Sequence, residues 1–284
     1  MSANVAPIDD NPVDRRKTAL VTGSAGTLGR AFAVALARRG YFVALIDLNE
    51  AENRETLRLV EAAGGAGLCR LCDVCSADEW RALHDELRSL RPQLDLFVNS
   101  AGVAGAGEFG RYALDDWQWL LDTNLKSVVV GCHTFVDWLK QNPDGAHIVN
   151  VASIAGFAAL PTMAAYNVSK AGVVALSETL RIELAPARVG VTVVCPGFFR
   201  SGLLERARMT TQAERDFTEK AMSESRFTAD DVAAAALEGV DRNQPYVILP
   251  RRARSLWRFK RWFPNAYLGY ITKRFRQYKE STTE

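Results

Sequence analysis

Apolar runs of strand length alternate with segments of helical period from residue 18 to residue 249. The runs TALVT (18–22), YFVALI (41–46), GLCRLC (67–72), DLFVN (95–99), HIVNVA (147–152), VTVVC (191–195) and YVIL (246–249) are apolar throughout rather than alternating. That is the pattern of strands covered on both faces. Between them, helical periodicity predicts helices at 30–39, 50–63, 80–90, 115–139 and 164–184. Strands and helices in strict alternation predict an α/β chain with one doubly wound parallel sheet of about seven strands and helices on both faces. The interval 201–228 is too long for a bare connection, and its Leu203, Leu204, Met209, Phe217 and Met222 among charges predict a mobile lid of one or two amphipathic helices. The sequence thus divides into a flexible arm (1–16), a body (17–250) and a C-terminal extension (251–284).

The extension changes the picture through charge. It holds ten Lys/Arg and two Asp/Glu, net +8 in a chain of net +2, which leaves the first 250 residues at −6. Such a body is a poor partner for nucleic acid, where affinity rests on clustered basic residues neutralising phosphates. Within the extension, Leu256, Phe259 and Phe263 and then Tyr267, Ile271 and Phe275 recur at helical spacing on either side of Pro264. Two short basic amphipathic helices are expected, either packing on the body or making peripheral contact with a membrane through 251–279. The N-terminus lacks an apolar core of the kind that starts a secretory signal, so a cytoplasmic protein is expected. The stretch from Gly145 to Ser169 has no charged residue, but its His, Asn, Pro, Tyr and serines argue against a membrane span.

Composition is that of an ordinary globular protein, 48% hydrophobic and 24% charged over 284 residues. Five cysteines are an odd number, which points to reduced thiols. Cys69, Cys72 and Cys75 have metal-like spacing, but strand alternation would turn Cys72 away from the other two and no fourth ligand is near, so no metal is expected. His84, His133 and His147 are assigned to packing or surface.

Candidate chemistry starts at the first strand, which runs into Thr22-Gly23-Ser24-Ala25-Gly26-Thr27-Leu28-Gly29 before a helix. A glycine-rich turn there lets backbone N–H groups approach a pyrophosphate at the positive end of the helix. Eighteen residues beyond Gly29, at the end of the second strand, Asp47 can bond the adenosine ribose hydroxyls. Strand, glycine turn, helix, strand and acid in that order predict a Rossmann-type dinucleotide site. Further on, Tyr166 and Lys170 lie four apart on a predicted helix and share one face, with Ser153 thirteen residues upstream of the tyrosine. A tyrosine acting as acid or base near neutral pH needs its phenolate stabilised by roughly 3–4 kcal/mol, which a neighbouring ammonium can supply. Taken alone, a YxxxK spacing is more simply a surface tyrosine and lysine on an amphipathic helix.

Together these residues resemble the short-chain dehydrogenase/reductase family over about residues 17 to 250. The glycine loop matches Thr22 to Gly29, with Gly23, Ser24, Gly26, Thr27, Leu28 and Gly29 toward the cofactor. The adenine-contacting acid matches Asp73, followed by Val74. The family's NNAG segment appears as Asn99-Ser100-Ala101-Gly102, and its Pro-Gly as Pro196-Gly197, followed by Ser201 where a threonine often bonds the carboxamide. The catalytic set maps onto Asn124, Ser153, Tyr166 and Lys170. Two positions depart from the pattern: Ser100 replaces an asparagine, and Thr27 stands where the compact branch has its middle glycine. The resulting TGxxGxxG spacing is that of the extended branch, whereas the Ser–Tyr spacing and overall length resemble the compact branch.

The resemblance implies an oxidoreductase that interconverts an alcohol and a carbonyl. Tyr166 would be the acid/base, Ser153 would hold the substrate oxygen, and Lys170 would lower the Tyr166 pKa and bond the nicotinamide ribose. Asn124 would fix a water leading from Lys170 to solvent. Asp47 facing the ribose 2′ position implies NAD(H) preferred over NADP(H), with Arg30 and Arg39 as the basic side chains that could offset it. Val103, Phe157, Phe198, Phe199, Leu203 and Leu204 are expected around a hydrophobic alcohol or ketone such as a lipid, steroid, retinoid or terpenoid. A homo-oligomer, dimer or tetramer, is implied, with Trp117, Trp119, Val136 and Trp138 as apolar contacts. The alternatives are a dinucleotide-binding sensor or scaffold without turnover, and a nucleotide-sugar epimerase suggested by TGxxGxxG.

Overall fold

A computed structural model describes residues 16–281. The N-terminal arm expected over 1–16 lies almost wholly outside the described residues.

The first half alternates as expected: β1 (Thr18–Thr22), α1 (Thr27–Arg38), β2 (Phe42–Asp47), α2 (Glu50–Ala62), β3 (Ala66–Leu71), α3 (Ala77–Leu90) and β4 (Leu96–Asn99). The short β5 (Gly105–Ala106) then leads to α4 (Leu114–Leu121), a π-helical turn (Asp122–Lys126) and α5 (Ser127–Lys140). Next come β6 (Ala146–Val151), α6 (Ala155–Ala158), α7 (Ala164–Glu183) and β7 (Val189–Pro196). The chain ends with β8 (Arg208–Met209), α8 (Gln212–Ser223), α9 (Ala229–Asp241), β9 (Tyr246–Leu249), α10 (Arg251–Trp262) and α11 (Pro264–Ser281). Local chemistry sets several starts. The Asn49 and Ser76 side chains accept from the third amide of α2 and α3, and Thr211 and Thr228 make capping boxes with Glu214 and Asp231.

Seven strands form one parallel sheet in the order β3-β2-β1-β4-β6-β7-β9. β1 and β4 are wholly buried, as their unbroken apolar runs require. One face packs Trp80, Phe97, Phe135 and Trp138 under α3 and α5, and the other packs Phe32, Leu36, Val232 and Leu237 under α1 and α9. The chain reverses its direction of progress across the sheet between β1 and β4. The carboxyl ends of strands at such a switch point leave a crevice suited to a ligand.

Two expectations are corrected, and that for 201–228 is made more definite. The predicted helix 115–139 is two helices joined by the π turn, a distortion that often marks a functional site and here carries Asn124. The 201–228 interval holds one α-helix, within the one or two expected, and a 3-10 turn at Gly202–Leu204. Between the two, β8 pairs with β5 and is prolonged by bonds from the Arg208 amide to the Ala104 carbonyl and from the Thr210 amide to Ala106. Finally, β3 ends at Leu71, before the alternation can reach Cys75: Cys72 and Cys75 pack on one side of the sheet and Cys69 on the other.

The extension forms the two helices predicted on either side of Pro264, and it packs on the body. Ala253 and Tyr267 are buried, and the Trp257 ring sits between those of Phe157 and Tyr246. The Tyr267 hydroxyl donates to the Ala158 carbonyl, and the Lys260 ammonium to that of Phe157. At the far end Tyr278 meets Phe217 of α8, and Lys279 pairs with Glu108. Among the described residues no helix is long and apolar enough to cross a membrane.

Candidate active site

The turn after β1 is built on two glycines. Gly23 has φ +66°, and a Cβ there would lie 2.8 Å from the Ala101 backbone. At Gly29 a Cβ would collide with the Gly23 carbonyl oxygen, so α1 packs against the turn only without a side chain. Gly26 is less constrained, its nearest contact being 3.3 Å, and it serves as the residue before α1. Thr27, the departure from the compact-branch pattern, is accommodated: it opens α1, and its hydroxyl accepts from the Gly202 amide at 3.1 Å. This bond joins the turn to the start of the 201–228 segment, a link the sequence did not signal.

Other loop residues divide between groove and scaffold. The Thr22 hydroxyl accepts from the Ser100 and Ala101 amides, both at 3.1 Å, and ties the ends of β1 and β4 together. The Asp47 carboxylate accepts from the Ala25 amide at 3.1 Å and from the Asn49 amide at 2.9 Å, which holds it at the rim of the turn. Four expected cofactor residues spend their side chains elsewhere. Ser24 bonds Asn53 at 2.7 Å, Asn99 donates to Asn150 at 2.9 Å, Leu28 packs against the α1 face of the core, and Val74 is core on the opposite face. The Asp73 carboxylate accepts from the Cys75 amide, while its own amide donates to Glu79.

The four catalytic candidates converge where β4, β6 and α7 meet. Ser153 follows β6; its hydroxyl accepts from the Ala155 amide at 3.1 Å, donates to the Pro196 carbonyl at 3.4 Å, and lines the same cleft as Tyr166. Lys170, one turn after Tyr166 on α7, donates to the Val151 carbonyl at 3.1 Å and lies 5.9 Å from the Tyr166 ring centre. A Cβ on Gly102 would come within 3.1 Å of the Asn124 oxygen and 3.4 Å of the Lys170 ammonium, so the NSAG segment closes directly over this pair. The Asn124 carboxamide accepts from the Val103 amide (2.8 Å) and donates to the Val103 carbonyl (2.9 Å) and to Ser169 (3.3 Å). It therefore clamps that segment to α7.

Burial governs the electrostatics. Desolvation lowers the Lys170 pKa to about 8, against a small opposing effect of Cys195. Desolvation also raises the Tyr166 pKa, opposed by the neighbouring Ser153 hydroxyl. The expected lowering of Tyr166 by Lys170 is thus not its resting condition: in the chain alone, burial outweighs every stabilising contact.

Beside Ser153 and Tyr166 opens a solvent-open cleft with a cavity volume of about 60 Å³. Phe198, Phe199, Leu203 and Leu204 line it as expected, together with Pro196, Gly197 and Ser201. Val103 and Phe157 do not. Val103 packs beside Tyr112 and Leu120, and Phe157 is taken up by Trp257 of the extension. The rest of the lining is Ala104 just before β5, Ile154, Leu160 and Met163 flanking α6, and Thr218 and Met222 on α8. Two hydroxyls near the expected cofactor path, those of Ser100 and Ser201, are buried without a hydrogen-bond partner among the described residues.

The short chain dehydrogenase family model matches residues 17–212. The chain belongs to the short-chain dehydrogenase/reductase family. Among curated relatives, the "Probable oxidoreductase EphD" of Mycobacterium tuberculosis is 31% identical over 87% of this chain. The chain spans 43% of that relative's length. The "3beta-hydroxysteroid dehydrogenase 1" of Eggerthella lenta is 33% identical over 78% of the chain and 85% of its own length. A solved short-chain dehydrogenase/reductase from Burkholderia phymatum in complex with NAD superposes with a TM-score of 0.81. It is 30% identical and matches 88% of this chain and 94% of its own. The Burkholderia phymatum relative carries NAD in its structure. The glycine turn too tight for side chains and the Ser201 hydroxyl, which has no partner among the described residues, fit that cofactor.

Proposed function

We propose that this short-chain dehydrogenase/reductase is an NAD(H)-dependent enzyme that interconverts a hydrophobic secondary alcohol and its ketone, with Tyr166 as acid/base. The observation that carries this reading is that Ser153 and Tyr166 line one apolar cleft, with the Lys170 ammonium beside the tyrosine ring.

The turn from Gly23 to Gly29 would hold the pyrophosphate, Asp47 the adenosine ribose, and Ser201 the carboxamide. The bound nicotinamide supplies the hydride acceptor in oxidation and the donor in reduction. Ser153 orients the substrate oxygen toward the Tyr166 hydroxyl oxygen. In oxidation the alcohol proton passes to the Tyr166 phenolate; in reduction the Tyr166 hydroxyl returns it to the carbonyl oxygen. Lys170, charged below about pH 8, stabilises the phenolate as it forms. Asn124 positions the Gly102–Val103 backbone against both groups. The apolar walls bind the body of the substrate and exclude water from the reacting oxygen.

Preference for NAD follows from Asp47 and from the occupation of both nearby arginines. Arg30 is paired with Glu52 at 2.6 Å and also donates to Thr56, while Arg39 is paired with Asp241 at 3.0 Å. Neither is available to receive a 2′-phosphate without giving up a carboxylate. A bulky apolar substrate agrees with the aromatic and aliphatic cleft, and the relatives named hydroxysteroid dehydrogenases suggest the size class. Turnover of NAD⁺ with a panel of hydrophobic secondary alcohols, including 3β-hydroxysteroids, tests the reading. NADH formation with at least one is expected, whereas tight NADH binding with no turnover on any alcohol or ketone contradicts it.

A further inference from the structure

The C-terminal hairpin buries one face and leaves the other uncovered by any described residue. Its inner side, with Ala253, Trp257 and Tyr267, is spent on the body. At the elbow between α10 and α11, Trp262 is 71% and Phe263 57% exposed, and Leu268 and Tyr270 on the next turns are half exposed. Phe259 stacks loosely on Phe263 and is itself exposed. Phe259 and Phe263 belong to the apolar stripe of the sequence pattern, yet Tyr267 covers Phe259 only in part and Phe263 stays more than half exposed.

The charges around this patch are of one sign. Residues 251–279 contain ten Lys/Arg and no Asp/Glu. Lys260 and Lys279 are committed to Phe157 and Glu108, and Arg261 lies over the Trp257 ring. Arg251, Arg252, Arg254, Arg258, Lys273, Arg274 and Arg276 are exposed. A tryptophan–phenylalanine tip within a basic collar matches the interface of a bilayer, where aromatic rings sit at headgroup depth and cations meet anionic lipid. A second copy of this chain would bring the same positive charge to the same place, so self-association through the elbow is opposed by repulsion.

We infer that the elbow of the C-terminal hairpin, Phe259 to Tyr270, binds the surface of an anionic lipid membrane, with Trp262 and Phe263 inserted and the arginines at the headgroups. The same hairpin touches two walls of the cleft: Tyr267 and Lys260 hold α6, and Tyr278 meets α8 beside Thr218 and Met222. Membrane contact would therefore place the active-site cleft of the enzyme near the phase in which an apolar substrate dissolves.

Co-sedimentation of the full chain with phosphatidylcholine vesicles, with and without phosphatidylglycerol, tests this. Binding is expected with the anionic lipid at low salt, with a loss of about ten-fold or more in high salt and without phosphatidylglycerol. Two variants at exposed positions, Trp262→Ser with Phe263→Ser, and Arg254→Glu with Arg258→Glu, should each weaken binding about ten-fold while turnover of a water-soluble alcohol stays unchanged. Failure of the parent chain to bind anionic vesicles at low salt overturns the inference. So does vesicle binding that survives both double variants. A third overturning result is a sedimenting dimer that the Trp262→Ser, Phe263→Ser variant converts to monomer with vesicle binding intact, which would make the elbow a contact between copies.

Discussion

The Thr27 hydroxyl accepts a hydrogen bond from the Gly202 amide at 3.1 Å, so the cofactor turn and the segment that carries Leu203 and Leu204 into the cleft are joined by one side chain. A glycine in place of Thr27, as in the compact-branch pattern, could not make this bond. The departure in the glycine motif therefore couples two halves of the site.

Thr27→Val keeps the shape of the side chain and removes the acceptor. A single hydrogen bond contributes about 0.5–1.5 kcal/mol net, less at a solvated position, so global stability should fall by under about 1 kcal/mol. The local effect should be larger in kind. Limited proteolysis within 201–226 is expected to accelerate several-fold relative to the parent chain, and an unchanged cleavage rate would show that Thr27 does not hold the segment.

Cofactor preference should reside in Asp47. Two unit charges about 4 Å apart at an effective dielectric near 20 repel by roughly 4 kcal/mol, so the parent should favour NAD over NADP by about 10² or more in kcat/KM. Asp47→Asn removes the charge and retains an acceptor for the Ala25 or Asn49 amide. At least a ten-fold loss of that preference is expected; a parent enzyme that prefers NADP would contradict the assignment outright.

Lys170 makes stability depend on pH in a stated direction. Its pKa falls from about 10.5 in the unfolded chain to about 8 when buried, so between these values the unfolded state binds more protons and stability rises with pH. Each pKa unit corresponds to about 1.4 kcal/mol, which caps the rise at about 3 kcal/mol. Cys72, Cys132 and Cys195, pushed up to about 12 by burial, act oppositely above pH 9, because the unfolded thiols ionise first. Denaturant titrations across pH 7–10.5 should show the parent gaining stability relative to Lys170→Met. Parallel curves for the two proteins would show that the lysine is not desolvated.

The extension should be a structural part of the fold. Tyr267 is fully buried and its hydroxyl bonds the Ala158 carbonyl, so Tyr267→Ala removes a large aromatic from a packed site. A cost of about 3–5 kcal/mol to the docking of α10 and α11 is expected. Protease cleavage within 251–281 of the variant, with the body left intact, is the readout; resistance equal to that of the parent would mean that the hairpin is held by other contacts.

Much of the fold was legible because period and composition speak directly to parallel sheets. The runs at 18–22 and 95–99, apolar at their centres and short, read as strands buried on both faces, and the order of glycine turn, Asp47, NSAG, Ser153 and YxxxK pointed to the sheet's carboxyl edge as the candidate site. The rest depends on contacts between residues distant in sequence. The π turn at 122–126 leaves no mark on helical period, since both neighbouring helices are amphipathic. Leu160, Met163 and Met222 face the cleft only because α6 and α8 close over it. Asn99 and Ser24 look like groove residues by position, yet their side chains turn to Asn150 and Asn53. For the extension, packing on the body is seen on one face of the hairpin, and the membrane contact is proposed for the other; charge counting alone could not separate the two faces.

In the proposed reaction the Tyr166 hydroxyl carries the proton, and every other part of the site serves that exchange. Tyr166→Phe removes the oxygen and keeps the buried ring, so NADH affinity measured by fluorescence titration should stay within a few-fold of the parent while kcat falls by about 10² or more. Turnover of hydrophobic alcohols by the Tyr166→Phe variant within a few-fold of the parent rate would contradict the assignment of Tyr166 as acid/base, and with it the proposed mechanism.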